Sequence, residues 1–326
     1  MQEIKRIGVF TSGGDAPGMN AALRAVVRSA CHREIKVSGI YRGYEGMIDG
    51  EINDLSPRDV GNIIHRGGTI LKTARSARFM TVEGRKCAFD QLAKNRIDAL
   101  VAIGGDGTFA GARLLYLEHG IPVVGLPGTI DNDLFGTNNS IGFDTAINTA
   151  IGAVDKIRDT ADAHNRLFLI EVMGRHSGFI ALYTAIASGA SAMVIPEREV
   201  DLDWLISDLQ GAINRKKLFG LVIVAEGNPL GSVEELARKL QERIHEYEVK
   251  VTVIGHIQRG GSPSAADRIL ASRLGHEAIE ALRGGSRDCM VGLLNDTITL
   301  TPFDQAIGKR NLPDPELIEL ATILGL

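Results

Sequence analysis

Apolar residues recur along the chain in two rhythms. Short continuous runs, Ile7–Phe10, Ala99–Ile103, Pro122–Leu126, Leu167–Ile170, Leu221–Ala225 and Val251–Gly255, each end in a turn rich in glycine or polar residues. Runs of this length, closed by such turns, read as strands buried on both faces. Between them the spacing becomes helical. Leu23, Val26, Val27 and Ala30 stand at i, i+3, i+4 and i+7, and Leu202, Leu205, Ile206, Leu209 and Ile213 form a second stripe. Val233, Leu236, Leu240 and Ile244 make a third, and Leu270, Leu274, Ala278 and Leu282 a fourth. Strands alternating with amphipathic helices predict an α/β fold of mainly parallel sheets flanked by helices. A chain of 326 residues exceeds one ordinary core, so two domains are expected. No linker, repeat or low-complexity segment marks their boundary.

In folds of this class ligands gather beyond the carboxyl ends of the strands. Those ends here concentrate Gly, Asp and Arg. Gly13-Gly14 opens a helix and reads either as a tight capped turn or as an anion site, where backbone N–H groups approach a phosphate. The Gly104-Gly-Asp-Gly-Thr108 turn misses the dinucleotide spacing by one residue, and there is no Walker A motif. Asp106 within it reads as an Asp-Gly turn or as a carboxylate for Mg²⁺ beside phosphates. Asp131-Asn132-Asp133 follows another strand, beside Thr129. An Asx-turn accounts for one of its carboxylates, and a base with a metal-side charge accounts for both. Arg75, Arg166, Arg175 and Arg259, with His256 adjacent, are a cationic set suited to two phosphate sites, one on a donor and one on a substrate.

Composition narrows the classes. With 44% hydrophobic and 23% charged residues, the chain reads as a folded soluble protein. A net charge of −4 argues against a nucleic-acid partner. Cys31, Cys87 and Cys289 show no metal spacing and read as free thiols in a reducing compartment. His164, His176 and His256 lack the company of a metal site and read as hydrogen-bonding residues. The first residues are too weakly apolar for a signal peptide, and no run approaches the roughly 18 apolar residues of a membrane span. A cytoplasmic protein is expected.

The segments 11–20 (TSGGDAPGMN), 103–108 (IGGDGT), 127–133 (PGTIDND), 142–146 (GFDTA), 171–178 (EVMGRHSG) and 255–263 (GHIQRGGSP) together resemble the bacterial 6-phosphofructokinases, over nearly the whole chain to about residue 300. The resemblance implies two α/β domains with the active site in the cleft between them. Residues 1–142 plus 258–308 would bind ATP, and 143–257 plus 309–326 fructose 6-phosphate. It further implies a homotetramer, Mg²⁺, and phosphoryl transfer from ATP to the sugar 1-hydroxyl. Asp131 would be the general base, Asp106 and Asp133 the metal-side carboxylates, and Thr129 and Arg175 contacts to the phosphoryl group in flight. Gly14, Tyr44, Arg75, Ser76, Gly105, Asp106, Gly107 and Thr108 would take ATP, with Tyr44 on the adenine side. Met173, Gly174, Glu226, His256 and Arg259 would hold the sugar. Arg166 and Lys250 would reach the 6-phosphate across a subunit interface, with Lys250 standing where an arginine is usual.

Arg24, Arg28, Arg158, Arg215 and Lys217 match an effector site, although Ser191, Arg58 and Pro57 depart from its pattern. Family members that use pyrophosphate carry Asp at the position of Gly107 and Lys at that of Gly128. Glycine at both implies open room for ATP, with a pyrophosphate-dependent enzyme as the alternative.

Overall fold

The apolar runs fold as strands. The computed structural model describes residues 4–162, 166–199, 201–214 and 219–325. The chain begins β1 (Arg6–Thr11), α1 (Met19–His32), β2 (Lys36–Ile40), α2 (Gly43–Asp49), β3 (Ile52–Leu55), α3 (Val82–Lys94), β4 (Ala99–Gly104), α4 (Asp106–His119) and β5 (Val123–Pro127). It continues with α5 (Phe143–Asp162), β6 (Arg166–Val172), α6 (Phe179–Ser188), β7 (Ala192–Val194), α7 (Leu202–Asn214), β8 (Gly220–Ala225), α8 (Val233–Gln241) and β9 (Glu248–Val253). It closes with α9 (Ala265–Arg283), β10 (Cys289–Leu294), β11 (Thr297–Pro302), α10 (Phe303–Gly308) and α11 (Pro315–Gly325). Two compact units result: Met1–Thr145 with Arg259–Asn311, and Ala146–Gln258 with Leu312–Leu326.

The first unit holds a seven-stranded sheet in the order β11-β10-β5-β4-β1-β2-β3. Its inner pairings are parallel, while β3 and β11 join antiparallel at the two edges. Strand residues alternate between faces, so Phe10, Leu100, Ala102 and Val123 pack with Met47, Leu92, Phe109 and Phe303 from α2, α3, α4 and α10. Helices α1 and α9 pack together and against strands of the same sheet. Both faces are therefore covered, which is why these strands read as unbroken apolar runs.

The second unit holds a four-stranded, all-parallel sheet in the order β7-β8-β6-β9. Leu167, Leu169, Val222 and Val224 pack against Leu205, Leu209, Leu236 and Leu240 of α7 and α8. Helices α6 and α11 contact each other and β7.

Two expectations shift. Strand β9 spans Glu248–Val253, not 251–255, because its register with β6 starts at the Arg166↔Glu248 pair. Lys250 therefore lies inside the strand. Strands β2, β3, β7, β10 and β11 carried no clear signal of their own. Polar or glycine residues interrupt β2 and β3, β7 has three residues, and β10 with β11 form a hairpin.

Candidate active site

In the first unit the glycine turns lock into each other. Ser12 N–H donates to the Ile103 carbonyl at 3.0 Å, and Gly128 N–H to the Gly104 carbonyl at 2.9 Å. The turns after β1, β4 and β5 are thereby stitched at one end of the sheet. A methyl group at Gly104 would sit 2.3 Å from Thr108 Oγ1 and 2.5 Å from the Ser12 carbonyl. Thr108 N–H and Phe109 N–H both donate to the Gly105 carbonyl as α4 starts. The Thr108 hydroxyl is buried without a hydrogen-bond partner among the described residues. A buried hydroxyl beside open backbone at a helix start suits an anionic oxygen.

Arg259 comes to the first turn from almost the other end of the chain. Its Nη1 donates to the Asp15 carbonyl at 3.2 Å, and a methyl group at Gly14 would come within 2.5 Å of that nitrogen. The Arg259 guanidinium therefore lies directly over Gly14. Gly105 faces Thr129, whose Cβ would stand 3.8 Å from a methyl group there.

The Asp131–Asp133 run forms a turn centred on Asn132. Asn132 adopts a left-handed φ of 55°. Its amide donates to the Asn138 carbonyl at 3.0 Å and accepts from Ser140 N–H at 2.8 Å. Asn132 thus ties this turn to the 138–140 segment. Asp131 is 7% exposed, and its N–H donates to Thr129 Oγ1 at 3.2 Å. Asp133 is half-buried, and its carbonyl accepts from Asn311 N–H at 2.9 Å.

The two glycines expected to leave room for ATP differ. A side chain at Gly107 would meet nothing within 4 Å, whereas one at Gly128 would press on Ile103 Cγ2 at 3.1 Å and Met19 Cε at 3.2 Å. Only Gly107 borders open space.

Tyr44 is buried next to the turn that carries Gly107. Its ring is 6% exposed, stacks on Phe79 at 3.9 Å, and sends its hydroxyl to the Thr108 carbonyl at 2.5 Å. Burial pushes its phenol pKa up. It is a prop beneath the Gly104–Thr108 turn, and its ring face is already covered by Phe79. Ser76 is committed to the Glu45 carboxylate at 2.5 Å, while Arg75 is exposed.

Sequence reasoning missed Asp267. It is 1% exposed and accepts from Gly142 N–H and Thr145 N–H, each at 2.8 Å, and from the Thr145 hydroxyl at 2.5 Å. It fixes the start of α5 to α9. Burial raises its pKa, with the Thr145 hydrogen bonds pulling the other way. Its position, three residues after the Ser264 cap of α9, made it read as an ordinary first-turn acid.

In the second unit the turn after β6 is fixed through its backbone. Gly174 and Arg175 both have positive φ, at 142° and 52°. Met173 N–H donates to the buried Gln258 side chain at 2.9 Å, and Arg175 N–H to Glu226 Oε1 at 3.0 Å. A methyl group at Gly227 would overlap the Arg175 carbonyl at 1.7 Å. The side chains of Arg175, Glu226 and His256 stand exposed. Burial raises the pKa of Glu171, just before this turn, and Glu234 and Glu226 add to it.

Arg166 is not with them. It begins β6, at the opposite end from Met173 to Arg175, and there it pairs with Glu248 at 2.8 Å, whose other carboxylate oxygen takes Lys250 at 2.5 Å.

A family model for phosphofructokinase matches residues 6–282. The chain belongs to the phosphofructokinase family. It is 56% identical over 323 residues to ATP-dependent 6-phosphofructokinase 1 of Thermus thermophilus, covering 99% of this chain and 100% of that one. It is 52% identical over 326 residues to ATP-dependent 6-phosphofructokinase 2 of Bacteroides thetaiotaomicron, covering 100% of both. Among solved structures, phosphofructokinase from Saccharomyces cerevisiae matches with a TM-score of 0.87 and 36% identity over 98% of this chain. This chain spans 50% of that yeast chain.

Of the positions that resemble this family's effector site, Arg24 and Arg28 lie on α1 in the first unit, whereas Arg158 lies on α5 in the second. Arg158 donates to the Ser188 carbonyl and sits 5.8 Å from the Phe219 ring centroid. Arg215, Lys217 and His164 lie outside the described residues. Among the described residues no group of three or more His, Cys, Asp or Glu side chains is placed to hold a metal, and no helix is long and apolar enough to cross a membrane.

Proposed function

We propose that this chain is an ATP-dependent 6-phosphofructokinase, moving the γ-phosphoryl of ATP to the 1-hydroxyl of fructose 6-phosphate to give fructose 1,6-bisphosphate. The observation that carries this reading is full-length similarity to ATP-dependent relatives. The open space at Gly107 agrees with it, since an ATP α-phosphate needs room that an Asp side chain would fill.

The first unit binds ATP. Backbone N–H groups of Gly14 and Gly105 to Gly107 receive its phosphates, the Thr108 hydroxyl takes one oxygen, and Arg75 adds charge. Tyr44 acts from below by holding the turn. Phosphoryl transfer passes through a loose transition state, so positioning and neutralisation outweigh basicity. Asp131, a carboxylate in a fixed and largely buried place, takes the proton of the 1-hydroxyl. Thr129 and Arg175 touch the phosphoryl group. Asp106 and Asp133 suit Mg²⁺, which keeps several waters and is commonly held by one or two carboxylates with substrate phosphates. When bound, it neutralises developing charge on the phosphates.

The second unit holds the sugar through Met173, Gly174, Glu226 and His256, and Arg259 from the first unit joins them. Arg166 and Lys250 take the 6-phosphate from a second copy of the chain. Strand geometry supports this. Six steps of about 3.3 Å separate the ends of β6 by about 20 Å, more than a hexose phosphate spans. Arg166 and Arg175 thus start from opposite ends of one strand, which favours a second chain as the source of the 6-phosphate cations. A homotetramer, working in the cytoplasm, accommodates that sharing. Arg24, Arg28 and Arg158, with Arg215 and Lys217, form the effector site.

The test is product identity. ³¹P NMR of a reaction with ATP, Mg²⁺ and fructose 6-phosphate should show a new phosphate ester on the sugar C1. Phosphorylation elsewhere, or ATP hydrolysis without a sugar product, would overturn the assignment.

A further inference from the structure

The cations assigned to the 6-phosphate already share an anion. Arg166 opens β6 and Glu248 opens the neighbouring edge strand β9, where the two are register partners. Lys250, two residues on, lies on the same face of β9 as Glu248. One carboxylate oxygen accepts from Arg166 Nε at 2.8 Å and the other takes Lys250 Nζ at 2.5 Å. Both cations thus converge on one point, where an anion with several oxygens fits. Hydrogen bonds from Lys250 and then Arg166 hold the Glu248 carboxyl below the usual carboxylate range, so it is charged at neutral pH.

We infer that Glu248 is a built-in counter-ion that competes with the substrate phosphate for Arg166 and Lys250 and so sets the affinity for fructose 6-phosphate. The inference rests on those two residues being the 6-phosphate ligands, as assigned above. Its physical basis is charge and freedom to move. A phosphate monoester carries nearly two negative charges at neutral pH against one on the carboxylate, so it wins the shared cations. The Glu248 side chain is 52% exposed, so it can turn into water when displaced. Before substrate arrives it keeps two like charges aligned on adjacent strands. A carboxylate that only braced the cations would help substrate binding, whereas a competitor opposes it.

The experiment is steady-state kinetics of Glu248→Gln in the full chain. Gln keeps the size of the side chain and removes its charge. Because exposed ion pairs are weak, the KM for fructose 6-phosphate should fall only about two- to fivefold, with kcat and the KM for ATP unchanged. Glu248→Asp, which keeps the charge, should stay near wild type. An unchanged or raised sugar-phosphate KM in Glu248→Gln overturns the inference. Lys250→Ala and Arg166→Ala, measured alongside, separate the two failures. If they raise that KM while Glu248→Gln does not lower it, only the counter-ion role falls. If they leave it untouched, the phosphate assignment itself falls, and the counter-ion with it.

Discussion

In the first unit the candidate groups are packed against one another: Gly14 under Arg259, Gly104 against Ser12 and Thr108, and Asp131 buried beside Thr129. In the second, Arg175, Glu226 and His256 stand exposed on loops, with the Glu226 carboxylate accepting from the Arg175 N–H. The difference follows from what each group has to do. A base or a phosphate cradle acts only from a fixed position, and burial supplies that rigidity. Charges that recognise a sugar phosphate lose little by waiting in water and gain when a ligand displaces it. Substitutions among the packed groups should therefore change turnover, ATP binding or fold, and those at Glu226, His256 and Lys250 should change sugar-phosphate affinity.

The largest expected effect is at the buried carboxylate. Asp131→Ala should lower kcat by about 10²–10⁴ while moving both KM values far less. Retention of more than about a third of wild-type kcat would take Asp131 out of the base role. Next comes the exposed set: Lys250→Ala should raise the KM for fructose 6-phosphate by about 10–100-fold, the scale of one charge-assisted hydrogen bond, without touching the KM for ATP. A loss of kcat instead would mean that this end of β6 and β9 belongs with the packed machinery, and the contrast between the units would fail.

Gly107 and Gly128 sharpen the contrast within the first unit. Gly107→Asp should raise the KM for ATP by about tenfold or more through overlap and like-charge repulsion, with the melting temperature unchanged. Gly128→Ala should cost about 1–3 kcal/mol of stability by overpacking against Ile103 and Met19, measurable by urea unfolding. Matching behaviour of the two variants would contradict the space found around each.

The smallest effect is a pH dependence at Asp267. Its folded pKa is raised by burial, so its contribution to stability is present below the ordinary Asp value of about 3.9 and is lost as pH rises through the folded value. The stability advantage of wild type over Asp267→Asn should therefore be smaller at about pH 7 than at about pH 3. An advantage that grows with pH would show that the Gly142 and Thr145 hydrogen bonds outweigh the cost of burying the charge.

Much of this was legible in the chain. The buried parallel strands β1, β4, β5, β6 and β8 announce themselves because both faces are covered, and the helices at 19–32 and 265–283 show regular stripes. The antiparallel edges did not, since β2 and β3 mix apolar with polar residues. The β10–β11 hairpin was hidden too, since its turn, Asn295-Asp296, both at positive φ, lacks the glycine that marks most tight hairpin turns. Within the site, local motifs pointed to Asp106, Asp131 and the glycine turns. The partners that fix them were hidden, because Arg259 over Gly14, Asp267 beneath Gly142 and Glu248 between Arg166 and Lys250 are contacts between distant segments. The placement of Tyr44 beneath its turn was hidden for the same reason, since Phe79 covers it.

The account turns on the donor. Initial rates with fructose 6-phosphate and Mg²⁺, offering ATP and pyrophosphate side by side at equal concentration, test it most directly. The structure around Gly107 and the full-length similarity predict rapid formation of fructose 1,6-bisphosphate with ATP and at least about a hundredfold less with pyrophosphate, the scale of losing one recognition step of about 3 kcal/mol. Comparable or faster turnover with pyrophosphate would contradict it.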